Sequence, residues 1–301
     1  MRKSGQVVVP FTGFVAAALA LAACDITIGA SEYSVREEKR FAVSGPARLS
    51  LSTFDGSIEV RGWDRNEVMV EVEKVGPDQK TVERIEVRAA QDGSAITIDV
   101  PKPSPLETTG LRRTPSANLV VAVPLKTTVR ARSGDGSIHV SRISGAIDLD
   151  TEDGSIRLEE VAGTLVARTG DGSVHAQKVD GQVEIRTGDG SIGLDGVLTG
   201  VTVETRDGSV DVTARPGSRT DGEWDVTTGD GDVTLDVPES FGAEIDARTG
   251  DGRVRIESIT DAPHAAKDEG EERESAAGRL AGGGKALRIR TSSGSITVKR
   301  W

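Results

Sequence analysis

A short signature, (T/S)xDGS(I/V), returns along most of this chain at a nearly constant interval, and that interval limits the possible folds more than any other feature. Its glycine falls at Gly56, Gly136, Gly154, Gly172, Gly190, Gly208, Gly231, Gly252 and, in degenerate form, Gly294. From Gly136 to Gly208 the step is 18 residues four times; the next steps are 23, 21 and 42, which are 18 with insertions of 5, 3 and 24. Apolar residues follow each glycine at the second, fourth, seventh, eleventh and thirteenth places. They are Ile138, Val140, Ile143, Ile147 and Leu149 in one unit and Ile156, Leu158, Val161, Leu165 and Ala167 in the next. Alternation of period two marks strands, whose successive side chains point to opposite faces. One unit cannot bury its apolar edge, whereas units stacked at ~4.8 Å place like residues over like. The pattern predicts an all-β chain, a parallel β-solenoid (β-helix) of about eight 18-residue rungs with an irregular N-terminal β-module.

The turns agree with the strands. An Asp-Gly pair supplies the positive φ of a tight reversal, and Asp accepts a hydrogen bond from the backbone two residues on. The place before each turn holds Thr53, Ser133, Thr151, Thr169, Thr187, Thr205, Thr228, Thr249 and Thr291. Stacked hydroxyls at those places can hydrogen-bond along the solenoid axis. The core must be built from small and β-branched side chains, because 36 glycines stand against only nine aromatic residues. A net charge of -11 argues against a nucleic-acid partner, which would need a basic stripe to neutralise phosphates.

The chain opens with Arg2 and Lys3, an apolar run from Val7 to Ala23, and the tetrapeptide LAAC ending at Cys24. This reads as an export signal. LAAC resembles the lipobox of bacterial lipoproteins, and that resemblance implies cleavage before Cys24 and acylation of its thiol. The chain's one cysteine then needs no disulfide partner. Loss of Arg2 and Lys3 leaves 35 basic against 48 acidic residues, net -13, so the acyl chains rather than the protein surface would hold it to a membrane. The expected organisation is a signal peptide over 1–23, a lipidated tether over 24–40, an N-terminal β-module over 41–123 and solenoid repeats over 124–301. Residues 101–116, with four prolines, read as a surface loop. Residues 261–284, charged and Gly-rich, read as a disordered insertion, with a short helix from Glu269 to Arg279 as the alternative. Trp301 is placed to cover the open end of a last rung built on Leu287, Ile289, Ile296 and Val298.

The repeated TGDGSI, the stretch VAVPLKTTVRARSGDGSI and the opening FAVSGPARLSLSTFDGSIEVRGWD resemble a bacterial family of β-strand-repeat proteins regarded as candidate adhesins, domain of unknown function 4097. The likeness spans about residues 41 to 301. It implies the repeat fold and carries over no catalytic or binding residue.

Chemistry beyond the fold is sparse. The turn aspartates, among them Asp135, Asp153, Asp171, Asp189 and Asp207, would form a file of carboxylates one rung apart, which ordinary turn chemistry explains and a calcium ion would also relieve. His139 and His175 fall at the same place two units apart, with Arg157 between them, too far apart to share one metal. His264 has no evident partner. Outward charges alternate in sign at Asp150, Arg168, Arg186 and Glu204. Trp63 and Trp224 offer faces for a sugar, although Trp63 falls at a core-facing place. No HExxH, phosphate loop or nucleophilic-serine motif is present. These features point to a non-enzymatic, lipid-anchored cell-envelope protein with an adhesin-like surface for a glycan or protein, held to the membrane at Cys24 and without a resident cofactor. A periplasmic scaffold or envelope-stress accessory is the alternative, and a polysaccharide-acting enzyme a weaker one.

Overall fold

The computed structural model describes residues 24–28, 33–103, 114–256, 266–267 and 274–301. The signal segment 1–23, loop residues 104–113 and His264 lie outside the described residues. The first part holds β1 (Cys24–Ile28), β2 (Tyr33–Ala42), β3 (Ala47–Thr53), β4 (Ile58–Trp63), β5 (Glu67–Gly76), α1 (Gln79–Glu83), β6 (Arg88–Asp92), β7 (Ala95–Val100), β8 (Ser116–Pro124) and β9 (Thr127–Ser133). Four 14-residue strands follow, β10 (Ile138–Thr151), β11 (Ile156–Thr169), β12 (Val174–Thr187) and β13 (Ile192–Thr205). The chain ends with β14 (Val210–Ala214), β15 (Trp224–Asp230), β16 (Val233–Val237), β17 (Ala243–Asp251), β18 (Val254–Ile256), β19 (Ala266–Lys267), β20 (Glu274–Leu280), β21 (Ala286–Ser293) and β22 (Ile296–Arg300). The described residues are thus all-β apart from one short helix, in one long sheet that does not close on itself.

The 18-residue interval appears directly in the strand register. Ile138 pairs with Ile156, Ile156 with Val174, Val174 with Ile192 and Ile192 with Val210, all parallel. β10, β11 and β12 turn a corner six places after their glycine, where Arg142, Glu160 and Lys178 adopt left-handed φ of 58°, 55° and 53°; in β13 that place is Gly196, without a positive φ. The corner divides each strand into a half that leaves one Asp-Gly turn and a half that enters the next. Two ladders result. The entry ladder runs β7, β3, β9, the second halves of β10 to β13, then β15, β21 and β17. The exit ladder runs β8, β4, the first halves of β10 to β13, then β14, β16, β22 and β18.

Between the ladders lies a continuous apolar interior. Every inward place that the periodicity marks in the first two full units is at most 2% exposed, from Ile138 through Ala167. Trp224 takes the place that Val183 and Val201 hold in preceding layers, and packs edge to face with Phe241 at 4.9 Å.

The expected hydroxyl file is present and buried; Thr151 and Thr228 are 2% exposed and the other seven members 3–8%. Each hydroxyl donates to a backbone carbonyl of the adjoining layer, as Thr169 Oγ1 does to Gly154 O at 2.8 Å and Thr187 Oγ1 to Gly172 O at 2.8 Å. The hydroxyl oxygens of Ser133, Thr151, Thr169 and Thr187 also accept the N–H of the glycine in their own turn, as Gly172 N to Thr169 at 3.2 Å and Gly190 N to Thr187 at 3.3 Å.

The glycines themselves carry a correction. A positive φ is found at Gly56, Gly252 and Gly294 among the signature glycines, but not at Gly136 through Gly231. What demands glycine there is the neighbouring layer: a Cβ on Gly172 would stand 2.1 Å from the carbonyl oxygen of Gly154.

The ends also depart from simple sequential stacking. β3 and β4 slot between β7–β8 and the layer that starts at β9, and β21 and β22 slot between β15–β16 and β17–β18. Trp301 therefore does not cover an open end; it is 55% exposed, and its N–H bonds Val237 O. Antiparallel strands close three of the four margins instead; among the described residues β18 carries none. β6 pairs with β7, β5 with β8, β2 with β5, β1 with β2, and β20 with β17. Strands that reverse direction and carry charges stop the ladder from adding another chain. Two expectations are corrected here. Residues 33–40, assigned to a tether, are part of a ten-residue strand, and residues 274–280, assigned to the disordered insertion or its helix, are a strand. Beside the N-terminal margin, Lys74 and Lys39 flank Glu37; burial alone would raise the Glu37 carboxyl, but the two ammonium groups outweigh it and hold it below its ordinary range.

The steric reading of the turn predicts a contrast between two alanine substitutions. Gly172→Ala should cost about 3 kcal/mol or more, because backbone on both sides must move. Gly282→Ala, at φ 85° with open space around it, should cost only about 1 kcal/mol. Equal midpoints in chemical denaturation would contradict the stacking geometry.

Candidate binding face

Outward positions of the entry ladder form three files that run along the stack, because strands one layer apart superimpose their side chains. One file contains Arg130, Asp148, Val166 and Glu184, and the next Arg132, Asp150, Arg168, Arg186 and Glu204. The alternation of sign read from sequence becomes a cross-layer network. Arg130 meets Asp148 at 2.9 Å, Asp148 meets Arg168 at 3.3 Å, Arg168 meets Glu184 at 3.2 Å, and Arg186 meets Glu204 at 3.3 Å. These pairs are partly solvated and individually weak, but together they hold long side chains in fixed positions over a rigid floor.

Beside them lies a third file, Ala95, Arg48, Thr128, Ala146 and Thr164, whose side chains other than Arg48 are short. The difference in side-chain length leaves a trough of about 590 Å³ across β7, β3, β9, β10 and β11. A smaller depression of about 200 Å³ continues it across Thr164 and Val166 toward Gly200 and Gly222. Arg48 stands within the trough, exposed and without an ion-pair partner among the described residues. Sequence reasoning missed this feature, since the trough depends on which residues adjoin across layers, and the β7–β3–β9 order is not the chain order.

The turn aspartates stand in file as expected. Asp135, Asp153, Asp171, Asp189 and Asp207 are all exposed, and Asp189 meets Arg206 at 3.3 Å. Among the described residues no group of three or more His, Cys, Asp or Glu side chains is placed to hold a metal ion. Asp55, near the N-terminal margin, differs from the rest of the file. Burial raises its carboxyl above the ordinary range, the charge of Asp135 adds to that, and the Gly56 N–H and Lys102 offset it only in part.

His139 and His175 flank Arg157 in the exit ladder, as the spacing indicates. His139 is half-buried, and its Nε2 has no hydrogen-bond partner among the described residues. Neither tryptophan offers the bare face considered from sequence. Trp224 is fully buried, with its N–H on Arg219 O at 3.2 Å. Trp63 donates to Glu67 O at 2.8 Å, and the Arg65 guanidinium lies 4.9 Å over its ring.

Stacked parallel layers with a ridged, charged outer face define a repeat-built β protein whose long surface is its most developed feature. The Toastrack DUF4097 family profile matches residues 47–299, and the chain belongs to that family. No curated protein matches it. Three solved structures are similar over most of their length. A candidate adhesin from Bacteroides fragilis is 10% identical with a TM-score of 0.43, covering 88% of this chain and 97% of its own. A candidate lipid-binding protein from Parabacteroides distasonis is 10% identical with a TM-score of 0.39, covering 88% and 96%. A candidate adhesin from Parabacteroides merdae is 8% identical with a TM-score of 0.40, covering 87% and 95%.

The Asp55 environment sets a direction for pH dependence. A carboxyl raised in the folded state costs stability once ionised; that cost is absent below the ordinary carboxylate pKa and complete above the raised one. Asp55→Asn should therefore raise the melting temperature at neutral pH, with the gain vanishing in acid, where both side chains are neutral. A destabilised variant at neutral pH would contradict this assignment.

Proposed function

We propose that this chain is a non-enzymatic binding protein of the cell envelope, a β-solenoid anchored by lipid at Cys24 that presents the outer face of its entry ladder to a ligand. Ten parallel strands stand in each ladder, so we count ten rungs rather than about eight. Nine carry the glycine signature and the tenth, β7 with β8, lacks it.

The observation that carries the reading is the entry-ladder face itself. Its backbone groups are used within the ladder, and its long side chains are tied to one another across layers, so a ligand meets a surface that is already ordered. Preordered side chains reduce the entropy lost on binding. The position of Cys24 fits this arrangement. It opens β1 at the N-terminal margin of the exit ladder, so an anchor there would attach one end of the stack and leave the entry-ladder face free. Membership of the Toastrack DUF4097 family is consistent with a repeat-built scaffold of this kind.

Two measurements test the proposal. Metabolic labelling with palmitate should mark the wild-type chain and fail to mark Cys24→Ser, which should also leave the membrane fraction; a labelled serine variant would refute the anchor. Trypsin applied to intact cells should cut the chain. Protection in intact cells together with cutting in lysates would place the protein away from the surface, end the adhesin reading and favour a periplasmic scaffold.

A further inference from the structure

We propose that the trough on the entry-ladder face is a binding site for an acidic linear saccharide, one carrying carboxylate or sulfate groups at intervals. The proposal rests on the binding reading above and names the ligand class of that face.

Charge comes first. The trough is lined by Arg48, Arg130 and Arg168 against Asp148 alone, a local excess of two positive charges on a protein of net charge -11. An anion reaching this surface meets a repulsive field elsewhere and an attractive one here. The arginines also differ in readiness. Arg130 is held by Asp148 at 2.9 Å, and Arg168 by Asp148 at 3.3 Å and Glu184 at 3.2 Å, so both keep fixed places. Arg48 has no ion-pair partner among the described residues, so its guanidinium is available for a bidentate bond to a carboxylate or sulfate.

The floor selects among anions. Ser50, Thr97, Thr128 and Thr164 place hydroxyls along the trough, each able to donate and accept, which suits a hydroxyl-rich ligand. An extended peptide would use backbone hydrogen bonds, but the trough crosses inner strands whose N–H and C=O groups are already paired in the ladder. The trough runs across successive layers, along the stack, so a linear polymer can lie in it; beyond Thr164 the second depression is lined by Glu184 and Glu223, which limits the anionic stretch to the trough itself.

The test uses the detergent-solubilised full chain and titration calorimetry with an oligogalacturonate, with a neutral cello-oligosaccharide for comparison. The expected result is saturable binding of the oligogalacturonate, weakened by salt, with no heat from the neutral sugar. Arg48→Glu should weaken that binding about tenfold or more. It should leave the melting temperature unchanged, because Arg48 supports no other side chain. Arg157→Glu, the same charge change on an exposed position of the exit ladder, should bind as the wild type does. Equal losses in the two variants would show general electrostatics and overturn the site. Equal binding of the neutral sugar, or no binding of the acidic one, would overturn the ligand class. Each of these outcomes is independent of where trypsin finds the protein, so this proposal and the envelope reading fail separately.

Discussion

The hydrogen bond from a buried Ser or Thr hydroxyl to a carbonyl in the adjoining layer sets the terms for the rest of this structure. Nine such hydroxyls form one file: Thr53 bonds Ala117 O, Ser133 bonds Gly56 O, and the series continues through Thr291 on Gly231 O and Thr249 on Gly294 O. A neutral bond of this kind contributes about 1 kcal/mol net, and leaving its buried partners unsatisfied costs more. Its larger consequence is geometric. With the carbonyl drawn under the next turn, that turn has no room for a Cβ, which is why glycine recurs at the interval it does. Once the turns are in register, the inward residues superimpose, and a core of Val, Ile, Leu and Ala closes without large aromatic side chains.

The same geometry creates a difficulty at the ends, where unpaired backbone would invite further strands. The chain meets it by departing from sequential order. At the N-terminal end the layer built from β7 and β8 lies outside the one built from β3 and β4, and β6, β5, β2 and β1 run antiparallel beyond it. At the other end β17 lies outside β21 and is followed by antiparallel β20 and β19. Both outermost layers are thus the ones next to an insertion, because an insertion supplies the chain needed to reverse direction.

What could be read from sequence follows from this division. The layers, their inward residues and the hydroxyl file all repeat, so period and alternation alone locate them. The reason for the glycines was misjudged, since a close approach between layers and a positive φ select the same residue. Tyr33–Ala42 and Glu274–Leu280 were misread as irregular because YSVREEKRFA and ESAAGRL are polar segments without strand pattern, and become strands only through the partners they meet. The trough was not legible: Thr128, Ala146 and Thr164 follow the 18-residue step, but Arg48 and Ala95 join them only through the inserted order of layers.

Function, on this account, follows from what repetition leaves on the outside. Inward and turn positions are fixed by stacking, while outward positions of the entry ladder are free to vary, and here they carry the ion-paired ridge and the trough beside it. All of that rests on the interlayer hydroxyl bond, which a pair of substitutions at Thr169 tests directly. Chemical denaturation of Thr169→Val, which keeps the shape and removes the hydroxyl, should show a loss of about 2 kcal/mol, with Thr169→Ser within about 1 kcal/mol of the wild type. A valine variant as stable as the serine variant would contradict the claim that these bonds hold the layers in register.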